Sequence, residues 1–191
     1  MKFAVFCSGS GSNFESIARA ARKKGFPGEL ALMVCDRPGA FAVTRAHRLD
    51  IPVVLISPKL FKTRQAHEAL ITRILRTQSV DVIVLAGYMR ILTPSFIRAW
   101  RGRILNIHPS LLPAFKGAHA IRDAFEAKVR TTGVSVHIVT EALDAGPVLA
   151  QKKLSVKKTD TLETLEKRIH AVEHRLYPST LRSFITKLKR K

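Results

Sequence analysis

Asn106-Ile107-His108-Pro109-Ser110-Leu111-Leu112-Pro113 follows a short apolar run, Arg103-Ile104-Leu105. The pattern predicts the last residues of a β-strand and the loop that leaves it. Alternate side chains of a strand point the same way, so Asn106 and His108 share a face while Ile107 turns into the core. Pro109 has no N–H and a fixed φ, so strand pairing stops there. An amide and an imidazole then stand side by side at a strand's carboxyl end, the edge where open α/β sheets bind ligands. Two satisfied polar side chains at an ordinary strand end give the same pattern, so the neighbouring segments have to decide.

Toward the N-terminus, Phe3-Ala4-Val5-Phe6-Cys7 reads as a buried strand, followed by Ser8-Gly9-Ser10-Gly11-Ser12-Asn13 and a helical pattern from Phe14 to about Lys23. Backbone N–H groups in such a loop, with the helix dipole behind them, suit an anion. No third Gly follows at dinucleotide spacing and no Gly-Lys-Ser/Thr is present, so a single phosphate fits better than a dinucleotide; a merely tight turn stays open. Leu30–Cys35 and Pro52–Ile56 read as two further strands, with a short helix over 40–49 between them. Asp36 reads as a turn residue. A helix over 63–77 precedes Val80–Ala86, an almost wholly apolar run of the kind a doubly covered parallel strand shows. A helix over 94–100 leads back to the opening stretch. Strands alternating with helices predict a parallel, right-handed Rossmann-like sheet, mixed α/β, with helices on both faces. Strands one, four and five then bring residues 10–13, 89–92 and 106–108 to one rim.

Beyond Pro113, residues 114–119 read as a mobile loop and 120–128 as a short helix. Val134–Val139 alternates as a half-buried strand, and Val148–Val156 makes another, giving about seven strands with the last ones partly antiparallel. Between them, Leu143-Asp144-Ala145-Gly146-Pro147 reads as a tight turn, for which Asp144 is a good former. Leu162, Leu165, Ile169, Val172 and Leu176 mark a helix over 161–176, capped by Asp160 with Glu163 three residues on. Glu173 borders that stripe, and His170 lies one turn earlier on the same side. Pro178 is expected to break the helix, and 179–188 to form a separate terminal one. His137, at alternating spacing on its strand, reads as structural or ligand-lining.

The 191 residues suit a single domain, 1–191. No apolar run approaches the roughly 20 residues that span a bilayer, and the N-terminus runs straight into a folded-type motif rather than a leader. Cys7 and Cys35 read as small buried apolar residues without a disulfide framework. Together these features predict a cytoplasmic protein. The 33 Lys and Arg against 14 Asp and Glu give +19, which suits a polyanion or a phosphorylated small molecule. The basic residues are dispersed except for Lys187–Lys191, and no aromatic-rich basic stripe accompanies them. A solvated basic surface is favoured over a nucleic-acid partner. The seven histidines do not cluster with carboxylates at ligand spacing, so no metal is expected.

Four segments in order carry a family resemblance: Ser8–Asn13, Leu85–Leu92, Asn106–Gly117, and Ser135–Thr140 with Leu143–Pro147. The chain resembles the folate-dependent phosphoribosylglycinamide formyltransferases over nearly its whole length. The resemblance implies formyl transfer from 10-formyltetrahydrofolate to the amine of 5'-phosphoribosylglycinamide in purine biosynthesis. It makes Asn106, His108 and Asp144 catalytic, with Asp144 a charge partner of His108. Gly11, Ser12 and Asn13 would hold the substrate phosphate. Glu173 would contact the glycinamide or ribose, with His170 standing where an amide side chain is expected. Arg64, Met89, Arg90, Ile91, Leu92, Asn106, Val139, Thr140 and Asp144 would bind folate. Residues 1–100 would form a phosphate-binding half, and 101–191 a folate-binding and catalytic half. Related methionyl-tRNA formyltransferases and formyltetrahydrofolate deformylases share the Asn-x-His stretch. A non-enzymatic binding module of the same fold is the remaining alternative. Nothing in the sequence separates a monomer from a homodimer.

Overall fold

A computed structural model describes residues 1–190. Lys191, the last of the basic run, lies outside the described residues. β1 (Lys2–Cys7) and β4 (Val80–Leu85) are the two central strands that organise the site. β2 (Glu29–Cys35) and β3 (Val53–Leu55) lie on one side of them. β5 (Ile104–His108), β6 (Thr131–Ile138) and β7 (Val148–Ser155) lie on the other. The order is β3-β2-β1-β4-β5-β6-β7 in a single seven-stranded sheet, parallel as far as β5 and antiparallel for β6 and β7. The mixed α/β architecture, with about seven strands and antiparallel final strands, is the one the sequence predicts. Chain order reverses between β1 and β4, so the connections leaving their carboxyl ends diverge and open a crevice.

Alternation along β1 divides the core. Phe3, Val5 and Cys7 pack on the face covered by α1 (Ser12–Ala21) and α6 (Leu162–Lys189). Ala4 and Phe6 pack on the other, with buried residues of α3 (Arg64–Thr77) and α4 (Pro94–Ala99). Two short helices complete the set, α2 (Phe41–Arg48) and α5 (Ala120–Glu126). Buried branched and aromatic side chains on both faces explain why the central strands read as continuous apolar runs.

Two local expectations are corrected. Pro178 does not divide the C-terminal region: α6 is one 28-residue helix with Pro178 inside it. An interior proline costs about 3 kcal/mol. Beyond it, Leu181 and Ile185 are fully buried, and burying two such side chains contributes roughly 3–6 kcal/mol. Packing therefore outweighs the break. The helix cap is Thr161, not Asp160. Thr161 Oγ1 accepts from the Thr164 amide at 3.2 Å, and Thr164 Oγ1 accepts from the Thr161 amide at 2.8 Å. Asp160 instead accepts from the Lys157 amide and pairs with Arg168.

Candidate active site

The loop after β1 enters α1 through Gly11, whose φ of 73° lies in the left-handed region. A Cβ there would stand 2.6 Å from the Ala42 Cβ, so glycine lets α2 press against the loop. Arg45 Nε, also on α2, donates to the Ser10 carbonyl at 2.9 Å. Gly11, Ser12 and Asn13 line one end of a cavity of about 630 Å³. Asn13 Nδ2 donates to Glu173 Oε2 at 2.9 Å, and His170 Nδ1 lies 2.8 Å from the same oxygen. Glu173 is 4 % exposed, and its hydrogen bond raises the pKa of His170 above the ordinary 6.5. His174 stacks on His170 with centroids 6.5 Å apart, and burial lowers the His174 pKa.

The segment after β4 lines the cavity from another side. Met89 and Ile91 are 65 % and 68 % exposed, an unusual position for large apolar side chains. Their backbone is nevertheless pinned. The Met89 amide donates to Ser8 Oγ at 2.8 Å, and the Ser8 amide to the Gly87 carbonyl at 3.0 Å. Arg90 Nε donates to Asp36 Oδ2 at 2.8 Å. At the far end, the Thr93 amide donates to Glu68 Oε1 at 2.9 Å. Asp36 stands in the bend that ends β2, as the sequence suggests, but it is also 3 % exposed and Arg90 reaches it across β1. Leu92, Val139 and Thr140 join the lining, whereas Arg64 lies outside it with Nη1 3.5 Å from the Ile91 carbonyl.

Between these two regions stands β5. Ile107 is buried on one face, and Asn106 and His108 line the cavity on the other. Antiparallel register sets Asn106 opposite His137 and His108 opposite Ser135. The turn between β6 and β7 delivers Asp144 at a φ of 46°. Gly146 permits that turn, since a Cβ there would lie 1.8 Å from the Ile138 carbonyl oxygen. Asp144 is 9 % exposed and flanked by two imidazoles: Oδ2 is 3.5 Å from His108 Nδ1 and Oδ1 is 3.5 Å from His137 Nε2. The Gly117 amide donates to Oδ2 at 2.9 Å. The hydrogen bond from His137 is the largest influence on Asp144. With Gly117 and the charge of His108 it overcomes burial and lowers the pKa from 3.8 to about 2. His108 Nε2 lies 2.7 Å from the Phe115 carbonyl.

All the site residues expected from the sequence converge on this cavity except Arg64. The sequence undervalued His137, which touches both Asn106 and Asp144; the β5–β6 register that sets it opposite Asn106 is not carried by any local window of sequence. It missed Arg45 and Asp36, whose partners are 35 and 54 residues away in sequence. Among the described residues no group of three or more His, Cys, Asp or Glu is placed to hold a metal ion, and no helix is long and apolar enough to cross a membrane.

Residues 1–181 match the formyl transferase family model. The phosphoribosylglycinamide formyltransferase of Bacillus subtilis (strain 168) is 45 % identical over 184 residues, covering 96 % of this chain and 94 % of that protein. The chain belongs to the phosphoribosylglycinamide formyltransferases of the formyl transferase family. Membership makes it a formyl-transferring enzyme. The crystal structure of phosphoribosylglycinamide formyltransferase from Bacillus Halodurans superposes with a TM-score of 0.94 at 46 % identity, covering 98 % of this chain and 97 % of that one. The trifunctional purine biosynthetic protein adenosine-3 of Gallus gallus is 42 % identical over 95 % of this chain, which spans 18 % of that larger protein.

Proposed function

We propose that the protein transfers the formyl group of 10-formyltetrahydrofolate to the amine of 5'-phosphoribosylglycinamide, in the cytoplasm, as a step of purine biosynthesis. The observation that carries this reading is the placing of Asn106, His108 and Asp144 between a helix-terminus loop and an exposed apolar segment in one cavity. The loop of Gly11, Ser12 and Asn13 suits a phosphate. Glu173 and His170 offer hydrogen-bond partners to the rest of the phosphoribosyl substrate. The exposed Met89 and Ile91, with Leu92, Val139 and Thr140, suit a flat aromatic donor, and Arg90 and Arg64 suit its carboxylates. On this reading the first hundred residues supply the phosphate loop and also the donor segment 89–92, and the remainder supplies the three catalytic groups with Glu173 and His170, so the halves do not divide by substrate.

The amine lone pair attacks the formyl carbon, and the carbonyl electrons move onto oxygen. The amide of Asn106 and an N–H of His108 donate to that oxyanion. A single preorganised donor of this type contributes about 3–4 kcal/mol to the transition state. As the intermediate collapses, the C–N bond to the folate breaks and the leaving nitrogen takes a proton from His108. The attacking nitrogen's own proton passes by way of water to His108, replacing the one it gave to the leaving nitrogen, while Asp144 beside Nδ1 orients the ring and the water. With a pKa near 2, that carboxylate stays charged at any working pH.

A steady-state assay with 10-formyltetrahydrofolate, with and without 5'-phosphoribosylglycinamide, tests the reading. Tetrahydrofolate and formylated product should form in equal amounts, and only when the amine is present. Formate release without the amine would make the protein a hydrolase. Tight initiator-tRNA binding at physiological salt would move the acceptor to a nucleic acid, as the +19 charge allows.

A further inference from the structure

Two demands on one hydrogen conflict at the centre of the site. Asn106 Nδ2 lies 3.2 Å from His137 Nε2, and Asp144 Oδ1 lies 3.5 Å from the same nitrogen. An amide NH₂ only donates and a carboxylate only accepts. Nε2 therefore has to accept if it serves the amide nitrogen, and has to donate if it serves the carboxylate. Oδ2 of Asp144 has the Gly117 amide, but among the described residues His137 Nε2 is the only protein donor beside Oδ1. A buried carboxylate oxygen left without a donor is costly, and a hydrogen bond to a charged acceptor is roughly twice as strong as a neutral one. The carboxylate prevails, and Nε2 carries the hydrogen. This holds whether or not Nδ1, 3.1 Å from the Ile138 carbonyl, carries a second one.

With a hydrogen on Nε2, the Asn106 amide nitrogen cannot face the ring. A half-turn of the amide exchanges Oδ1 and Nδ2 and moves nothing else. Oδ1 then accepts from His137, and both N–H bonds of Asn106 turn away from the ring, into the cavity that Asn106 lines. We infer that His137 is a positioning residue: Asp144 fixes a hydrogen on its Nε2, and that hydrogen turns the Asn106 amide so that it presents N–H, not C=O, to the reacting carbonyl oxygen. In the opposite arrangement Asn106 would aim its own oxygen at the developing oxyanion and repel it. The inference rests on the formyl-transfer reading and gives His137 a role that neither wall-lining nor packing requires.

Four variants and one spectrum test it. His137→Phe removes the donor and should lower kcat roughly 100-fold, as loss of one oxyanion donor does, with each KM within about twofold. His137→Gln can place an amide N–H near the position of Nε2–H and should restore most of kcat. Against Asn106→Ala, the double variant Asn106→Ala/His137→Phe should lose less than about threefold more, because the effect passes through Asn106. Nitrogen-15 NMR of the resting protein, labelled at histidine, should show a hydrogen on His137 Nε2 without any variant being needed. A hydrogen on Nδ1 alone overturns the inference. So does a full His137→Phe effect in the Asn106→Ala background, which would route it through Asp144 or packing, or a Gln variant as poor as Phe. If the wild-type protein transfers no formyl group, the reading of function falls, while the NMR measurement still decides the His137 hydrogen.

Discussion

Replacing Asp144 by Asn keeps the side chain's shape and removes its charge. The folded-state pKa of about 2 lies below the unfolded value near 3.8. A depressed carboxylate stabilises the fold above its unfolded pKa, and that stability is lost as pH falls through the folded value. The difference is 1.8 pH units, which at about 1.36 kcal/mol per unit gives on the order of 2 kcal/mol at pH 7. Linkage leaves about 1 kcal/mol of it at pH 3. The assay is urea unfolding of wild type and Asp144→Asn at pH 7 and at pH 3. Every other carboxylate titrates in both proteins, so the gap between them isolates Asp144. That gap should shrink by roughly 1 kcal/mol from pH 7 to pH 3. A constant gap would refute the reasoning: the two imidazoles and the Gly117 amide would then not hold the carboxylate ionised, and the argument that Asp144 demands a hydrogen from His137 would lose its basis.

Other perturbations separate the parts of the site. Asn106→Ala and His108→Ala should each lower kcat by about 10²–10³ while far-UV circular dichroism stays unchanged; near-wild-type turnover in both would remove them from the chemistry. Gly11→Ala puts a Cβ 2.6 Å from the Ala42 Cβ at a φ of 73°, so steady-state kinetics should show the KM for the phosphoribosyl substrate rising roughly tenfold with the donor's KM unchanged. His170 is held protonated above pH 6.5 by Glu173; its charge is present below that pH and lost as pH rises through the raised value. The KM for the phosphoribosyl substrate should therefore climb over that window in the wild type and stay flat in His170→Gln. Asp36→Ala frees Arg90 and should raise the donor's KM alone, with Asp36→Asn, which keeps an acceptor, lying between; equal effects on both substrates would point to general destabilisation.

The parts of the molecule legible in the sequence obey local rules. Apolar runs marked β1 and β4, a helical stripe marked α6, and the Asn106-x-His108 spacing fixed two side chains on one face of β5. Each follows from a period of two or of 3.6, which a window of a few residues carries. What stayed hidden depends on partners distant in sequence. Pro178 reads as a break because the window around it cannot count the burial of Tyr177, Leu181 and Ile185 against the sheet. Asp36 followed by Arg37-Pro38-Gly39 has the composition of a turn, and only the β2-β1-β4 order brings Arg90 to it. His137 is the most instructive. Its spacing showed only that it lies on one face of a strand, and a strand face in the core and one in a catalytic cleft have the same period. Antiparallel pairing of β5 with β6 sets it opposite Asn106, and the Gly146 turn returns Asp144 to its other side. A residue's part in such a site is set by which hydrogens its neighbours require of it, and those neighbours are chosen by register and turn geometry rather than by the segment that contains it.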